Sequence, residues 1–186
     1  FLGPEPGGDV DFVAGDDVVG ADKAVTHLIG LGHQRIAFVG GPLRVRGVNS
    51  RLEGYKNALL KTSAQFDPEL IIPTDHSSCE DGGFAANQVL ALRSRPTAVF
   101  VINDWMAIGF MFEMLRQGIK IPEEMAIVGY DNIEMSKHLP IPLTTVDYDN
   151  KKITQTASKI LFERIQQKRE NGFSMEKKQI LIEPQV

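Results

Sequence analysis

The run Arg35-Ile-Ala-Phe-Val39, followed by the turn Gly40-Gly-Pro42, decides the fold class of this chain. It is short, apolar and rich in β-forming residues. Three more runs of the same kind follow it: Leu70-Ile-Ile72, Ala98-Val-Phe-Val-Ile102 and Met125-Ala-Ile-Val128. Stretches with helical character separate these runs, near residues 50–62, 81–93 and 104–117. Because apolar strands alternate with helices, we predict an α/β fold of parallel sheets with helices on both faces.

Regular elements also flank this central region. Before it, residues 9–13 alternate like a strand edge, and a one-faced helix carries Ala21, Ala24, Val25, Leu28 and Ile29 up to Gly30. After it come Thr144-Thr-Val146, an amphipathic helix over roughly 149–169 and a last short strand, Gln179-Ile-Leu-Ile-Glu183. The alternation therefore extends over most of the chain.

The composition is that of a water-soluble globular protein. Of 186 residues, 42% are hydrophobic and 24% are charged, which supports a buried core and argues against disorder. The apolar runs are far shorter than the ~20 residues of a membrane helix, so we expect no membrane partner. A single cysteine, Cys79, cannot form an internal disulfide and favours a cytoplasmic location. The formal net charge of -4 argues against this chain gripping nucleic acid by itself.

Polar residues follow four of the predicted strands, at the edge where open α/β sheets bind ligands. The first strand leads to Arg51, the second to His76, the third to Asn103 and the fourth to Asp131. Carboxylates accept hydrogen bonds from hydroxyl groups, amides donate and accept them, and arginine donates two parallel bonds. This set of side chains predicts a site for a polyhydroxylated ligand.

Each of these residues also has a simpler interpretation. Asn103 and Asp104 stand directly before a helix, where we expect Asp104 to be the N-cap and Asn103 to face the ligand. Asp131-Asn132 is also typical of an Asx turn, and Arg51 of a solvated helix surface. Trp105, the only tryptophan, is suited either to stacking on a sugar or to packing between helices.

The sequence carries no motif for catalysis, metal binding or a nucleotide cofactor. The four histidines lack paired metal-ligand spacing, so we predict no metal site. Gly40-Gly-Pro42 lacks both the dinucleotide pattern and the ending of a P-loop. Ser77-Ser78 lies near His76 without a nucleophile elbow around it. We expect neither a cofactor nor enzymatic activity.

One long string, residues 16–42, reads Asp-Asp-Val-Val-Gly-Ala-Asp-Lys-Ala-Val-Thr-His-Leu-Ile-Gly-Leu-Gly-His-Gln-Arg-Ile-Ala-Phe-Val-Gly-Gly-Pro. Shorter motifs follow it in order: Arg51-Leu-Glu-Gly-Tyr55, Pro96-Thr-Ala-Val-Phe-Val-Ile-Asn-Asp104, Ala107-Ile-Gly109, Gly118-Ile-Lys-Ile-Pro122, Val128-Gly-Tyr-Asp-Asn132 and Pro142-Leu-Thr-Thr-Val146. Together they resemble the lactose/galactose-repressor (LacI/GalR) family of bacterial transcription regulators. The resemblance covers nearly the whole chain and is more specific than any single motif.

The resemblance implies an effector-binding domain of the type I periplasmic-binding-protein kind, in which two α/β lobes hold a small molecule between them. We expect this two-lobed domain to be present only in part. Residues 1–33 are then the remainder of the N-terminal lobe, 34–146 the C-terminal lobe, and 147–186 a helix that returns to the N-terminal lobe and a final strand. We expect the DNA-binding headpiece of the family to lie outside this chain. Without its partner elements, the returning helix is expected to expose an apolar face.

The resemblance also implies effector contacts for Arg51, Asn103 and Asp131. Ser78 stands where purine-binding members place an aromatic residue, which favours a sugar or a sugar derivative. The candidate ligand-binding residues are Arg51, Asn103, Asp131, Trp105 and His76. We interpret the chain as part of a regulator whose effector changes operator DNA binding through the headpiece. The alternative is a periplasmic sugar-binding protein for transport or chemotaxis, which would carry an export signal instead of a headpiece.

The helix that starts at Asp104 carries more apolar residues than one sheet-facing stripe requires, which implies a second buried surface. In the resembling family, this helix and the segment after the fourth strand supply much of the dimer contact. We therefore predict a two-fold homodimer through Ile108, Met111, Met135 and Leu139. The alternative is that these side chains fill a thick α/β core.

Overall fold

The computed structural model describes residues 10–62, 64, 66–171 and 176–186. Strands and helices alternate along this part of the chain. A single turn of 3-10 helix, Pro68–Leu70, precedes β3. In chain order the elements are β1 (Phe12–Gly15), α1 (Asp17–Gly30), β2 (Ile36–Gly40), α2 (Arg46–Leu60), β3 (Ile71–Pro73), α3 (Cys79–Ala91), β4 (Ala98–Val101), α4 (Asp104–Arg116), β5 (Ala126–Tyr130), α5 (Glu134–Lys137), β6 (Thr144–Val146), α6 (Asn150–Asn171) and β7 (Gln179–Ile182).

Five of the strands form one parallel sheet in the order β3-β2-β4-β5-β6. The chain leaves β2 toward one edge and then crosses back, so right-handed connections place α2 on one face and α3 and α4 on the other. The three central strands β2, β4 and β5 are buried along their length because helices cover both faces. The predicted fold class is confirmed.

Helix packing in this sheet unit depends on two glycines. Gly54 in α2 lies against α1, where an added Cβ would overlap the carbonyl oxygen of Val18. Gly109 in α4 lies against α3, where an added Cβ would overlap the carbonyl oxygen of Cys79. Because a backbone carbonyl cannot move aside, each helix pair can approach this closely only with glycine at the contact.

The remaining two strands, β1 and β7, pair in parallel as a second, small sheet. Its core consists of Val13, Ile153, Ile160 and Ile182, which join the sheet to α6. Arg164 of α6 forms a bidentate ion pair with Asp11, with N–O distances of 2.8 and 2.9 Å. We call β1, β7 and α6 the small body, and the five-stranded sheet with α1 to α5 the large body.

Helix α1 lies within residues 1–33, the segment for which the sequence predicts the remainder of the N-terminal lobe. The buried side chains Ala21, Ala24, Val25 and Leu28 belong to the core of the large body, because α1 packs against α2. Within the described part of that segment, β1 pairs in the small body and α1 packs in the large one. Residues 1–9 lie outside the described residues.

The outer side of α6 is apolar and exposed, as the sequence predicts. Leu161, Phe162 and Ile165 are exposed, whereas Ile153 and Ile160 are buried against the small sheet. No helix in the described residues is long and apolar enough to span a membrane.

Candidate functional site

Arg51 lies at the carboxyl end of the large sheet, in the second turn of α2. Its Nε donates a hydrogen bond to Oδ1 of Asp17 at 2.8 Å, and its Nη1 donates to the backbone carbonyl of Ile102, just after β4. The guanidinium carbon lies 3.7 Å from the centre of the Tyr130 ring. Arg51 is therefore a positioned, mostly buried group and not a solvated surface charge.

Asp131 completes this arrangement directly after β5, with its Oδ1 3.7 Å from Nη1 of Arg51. We call Asp17, Arg51, Tyr130 and Asp131 the strand-end cluster. Two of the four, Arg51 and Asp131, are predicted ligand-binding residues, and the structure brings them together.

The backbone of the turn at Asp131 is unusual. Asp131 has a φ of 109° and Asn132 a φ of 48°, a region that costs free energy for residues other than glycine. Hydrogen bonds to β6 hold the turn in place: the Asp131 amide donates to the carbonyl of Val146, and the Asn132 amide donates to Oγ1 of Thr145. The Asn132 side chain also donates to the carboxylate of Asp147 at 3.0 Å. The direction of the Asp131 side chain is therefore fixed by neighbouring strands.

The electrostatic environment of Asp131 opposes its ionisation. Burial raises the pKa of its carboxyl group from 3.8 to about 6. The positive charge of Arg51 lowers this pKa in part, and the negative charges of Asp104 and Asp17 raise it again. A carboxylate held in this way accepts a hydrogen bond from a ligand hydroxyl readily, because it is poorly solvated by water.

The N-cap of α4 is Asn103 and not Asp104, which the sequence predicts for that role. Asn103 is the N-cap of α4: its Oδ1 accepts a hydrogen bond from the amide of Met106 at 2.7 Å. Its Nδ2 donates to the carbonyl of Ser77 at 3.1 Å, so both ends of the amide already have a protein partner. The extended backbone of Asn103, with φ -150° and ψ 161°, directs its side chain over the first turn, as an N-cap requires.

Asp104 is instead a buried junction between elements. Its carboxylate accepts hydrogen bonds from the amide of Ile133 at 2.9 Å, from Oγ of Ser136 at 2.7 Å and from Oγ1 of Thr145 at 2.6 Å. Burial raises its pKa, and these three donors oppose that rise. Because Thr145 also accepts from Asn132, the junction supports the turn that carries Asp131.

Trp105 and His76 lie outside the strand-end cluster. Trp105 is 54% exposed in the first turn of α4, and His76 is exposed in the loop between β3 and α3. Within the described residues, neither side chain forms a hydrogen bond, ion pair or ring contact with Arg51 or Asp131. The backbone carbonyl of His76 accepts a hydrogen bond from Thr74, which holds the loop.

Three residues at this site are not among the predicted ligand-binding residues. Asp17 binds Arg51, Tyr130 lies beneath its guanidinium, and Tyr148 stacks on Tyr130 with ring centres 6.3 Å apart and planes 20° apart. Tyr148 packs against the cores of both bodies. Asp17 and Tyr148 closely follow β1 and β6, so the strand-end rule, applied to those two strands as well, would have indicated them.

The predicted dimer surface is mostly buried within this chain. Ile108 is 4% exposed and Met111 is 1% exposed because α4 packs against both the sheet and α3, and Leu139 is also buried. Of the four predicted interface residues, only Met135 is exposed. The exposed apolar side chains of α4 are Trp105, Phe112 and Leu115. Ile108, Met111 and Leu139 are therefore core residues within this chain.

Known proteins resemble this chain in both sequence and fold. The model of the periplasmic binding protein-like domain matches residues 25–186. The HTH-type transcriptional repressor PurR of Vibrio atlanticus is 37% identical over 166 residues, which are 89% of this chain and 49% of that protein. The ribose operon repressor of Haemophilus influenzae is 33% identical, with 88% of this chain and 49% of that protein covered. The chain thus spans about half the length of these relatives.

A solved structure supports the same relationship. A LacI family transcriptional regulator from Enterococcus faecium, with bound ribose, superposes with a TM-score of 0.83 and 32% sequence identity. The match covers all of this chain and 67% of that one. The sequence motifs, the parallel sheet and these similarities lead to one assignment: the chain belongs to the periplasmic binding protein-like domain family, in the form that LacI/GalR transcription regulators carry.

Proposed function

We propose that this chain is part of the effector-binding and dimerisation domain of a cytoplasmic transcription regulator. A sugar or sugar-like molecule binds at the strand-end cluster, between the large and small bodies. Binding alters how a headpiece outside this chain sits on operator DNA. The observation that carries this proposal is the Arg51–Asp131 pair at the carboxyl edge of the large sheet.

The chemistry of the pair suits hydroxyl groups. The carboxylate of Asp131 accepts from a hydroxyl hydrogen, and the guanidinium of Arg51 donates to a hydroxyl or ring oxygen. The relative from Enterococcus faecium is described with ribose bound, which supports a sugar for the related site. Tyr130 and Tyr148 add aromatic surface beside the two charged groups.

The position of the site between the two bodies supports a regulatory role. Asp17 stands where β1 of the small body leads into α1 of the large body, and Tyr148 packs against both cores. A ligand that contacts Asp17 or Tyr148 changes the relative stability of two arrangements of the large and small bodies. It acts only to the extent that its affinities for those arrangements differ.

A periplasmic sugar-binding protein of the same fold is the second candidate. The named relatives are repressors, which favours regulation. The gene sequence upstream of this chain distinguishes the two candidate functions. A helix-turn-helix there supports regulation, and an export signal supports transport.

The direct test uses the full-length protein and DNA selected from a random library. Its affinity for that DNA is measured by fluorescence anisotropy with and without D-ribose and other sugars. We expect at least one sugar to change the affinity in the wild type, and Asp131→Asn to lose the response while keeping DNA binding. Glu53→Gln, an exposed carboxyl change on the same helix as Arg51, is the matched control. A protein that binds no DNA would contradict the proposal.

A further inference from the structure

The strand-end cluster carries an excess of negative charge. Arg51 contributes one positive charge, and its two contacting carboxylates, Asp17 and Asp131, contribute two negative ones. Asp104 lies behind the turn and is close enough to raise the pKa of Asp131. Asp147 is joined to the same turn through Asn132. A ligand in contact with Arg51 therefore meets a site that is negative overall.

Arg51 has little capacity left to bind an anion. Its Nε is bound to Asp17, its Nη1 is bound to the carbonyl of Ile102, and one face of the guanidinium covers Tyr130. Only Nη2 has no hydrogen-bond partner among the described residues, and it is not among the buried, unpaired side-chain atoms there. A phosphate or carboxylate is normally held by two parallel N–H groups of one arginine edge. Nη2 forms one edge of the guanidinium with Nε and another with Nη1. Both Nε and Nη1 already donate to acceptors of the protein.

Two further arginines near the site do not reverse this balance. Arg44 and Arg46 are exposed on the loop after β2 and at the start of α2. Arg46 lines a small cavity with Asp16 and Asp17, and it has interactions of its own. Exposed charges are screened by water and salt, whereas the charges of Asp17 and Asp131 are mostly buried.

These observations limit the chemical class of the effector. We propose that the strand-end cluster selects an uncharged polyhydroxylated molecule and rejects its phosphate ester and its acid. The proposal rests on the proposed function and adds to it the charge of the ligand. A neutral hydroxyl group suits both partners, because it donates to Asp131 and accepts from Nη2 of Arg51. An anionic group accepts only, so it leaves Asp131 without a donor and places two like charges side by side.

The short distances between a bound ligand and the charges of the strand-end cluster set how strongly the site discriminates between an anionic and a neutral ligand. An anionic group bound at Nη2 lies within a few ångströms of the Asp131 carboxylate. The repulsion by Asp131 and Asp17 together exceeds the attraction by Arg51, and at the effective dielectric constant of a partly buried site the difference corresponds to a loss of affinity of roughly 10-fold or more. Replacing Asp131 with Asn removes the repulsion by Asp131 and supplies a donor.

The experiment uses the full-length protein at pH 7.5 and a panel of matched pairs. Each pair is a neutral sugar and its phosphate ester or acid, beginning with D-ribose and D-ribose 5-phosphate, and with D-glucose, D-glucose 6-phosphate and D-gluconate. Thermal shift finds the pairs that bind, and calorimetry measures the affinities. The uncharged 5-O-methyl-D-ribose controls for substitution at the phosphorylated oxygen and for the ring form that this substitution imposes.

We expect stabilisation by a neutral member, with its charged partner binding more weakly by roughly 10-fold or more. Asp131→Asn should narrow that ratio by about 10-fold or more, whereas Glu53→Gln should leave it unchanged. A phosphate ester or acid that binds as tightly as its neutral partner would overturn the proposal while leaving the proposed sugar-binding function in place. A panel in which neither member of any pair binds would overturn both.

Discussion

Thr145 in β6 donates a hydrogen bond to Asp104 at the start of α4, with an Oγ1–Oδ1 distance of 2.6 Å. The same hydroxyl oxygen accepts from the amide of Asn132. One threonine thus connects a buried carboxylate to the turn that holds Asp131. The position of the Asp131 carboxylate therefore depends on a half-buried residue of the neighbouring strand.

Removal of the Asp104 carboxylate should therefore lower stability strongly. Asp104→Ala leaves Ser136, Thr145 and the Ile133 amide without their acceptor, and we expect the free energy of unfolding to fall by about 3 kcal/mol. Thr145→Val, which removes one donor, should cost about 1 kcal/mol. Urea unfolding measures both. Glu134→Gln, an exposed carboxyl change in α5, is the control and should change stability by less than about 0.5 kcal/mol. An Asp104→Ala variant as stable as this control would show that the junction contributes nothing.

Asp131 should affect binding more than folding. Asp131→Asn keeps the shape of the side chain and tolerates the positive φ better than alanine would. We expect it to weaken binding of a neutral sugar by roughly 1.5 to 3 kcal/mol, the range of a hydrogen bond to a charged group. Calorimetry on the full-length protein measures this loss. Unchanged affinity in a folded Asp131→Asn protein would remove this residue from the ligand site.

The raised pKa of Asp131 also sets the direction of a pH effect on stability. The pKa of the Asp131 carboxyl group is about 6 in the folded chain, above its ordinary value of 3.8. The folded chain therefore holds the proton of this carboxyl group more tightly than the unfolded chain does. The contribution of the protonated Asp131 carboxyl group to folding stability is complete below about pH 4 and is lost as the pH rises through 6. We expect the stability of the wild type minus that of Asp131→Asn to fall by about 2 kcal/mol between pH 4 and pH 8. Chemical denaturation at each pH gives this difference, and a flat profile would contradict the raised pKa.

Ile108 and Phe112 distinguish the core of α4 from its outer surface. Ile108→Asp places a charge in the core and should unfold the protein, because Ile108 is 4% exposed. Phe112 is 49% exposed, so Phe112→Asp should remain folded. If the proposed homodimer uses the outer surface of α4, the Phe112→Asp protein becomes monomeric. Sedimentation and circular dichroism at micromolar concentration read both properties. A folded, dimeric Phe112→Asp protein would exclude this residue from the interface.

Tyr148 provides a test of the contact between the two bodies. Its ring packs against both cores and stacks on Tyr130, so Tyr148→Ala should lower the free energy of unfolding by about 2 kcal/mol. Tyr148→Phe keeps the ring and should cost less than about 0.5 kcal/mol. Equal losses in the two variants would assign the effect to the hydroxyl group instead of to the packing of the ring.

The sequence by itself determined the class of the fold and the edge of the sheet where the strand-end cluster lies. The apolar runs at 35–39, 98–102 and 125–128 are continuous because both faces of their strands are covered, and a pattern of that kind identifies buried parallel strands. Arg51 and Asp131 were then predictable as neighbours, because the carboxyl ends of parallel strands meet at one edge.

Tertiary structure alone decided which of two adjacent residues caps α4. Successive residues of a helix differ in direction by about 100°, so a shift of one position exchanges a cap for a buried junction. The role of Asp104 depends on where the turn after β5 presents its donors, and those donors lie far away in the sequence.

The same limit applies to α1 and to the apolar surface of α4. An apolar pattern shows that side chains are buried but does not identify the element that covers them. The cover of Ile108 and Met111 is supplied within the chain, where Gly109 lets α3 approach, and the cover of α1 is supplied by α2. Such contacts depend on the distances between helix axes, and the packing of the whole molecule sets those distances.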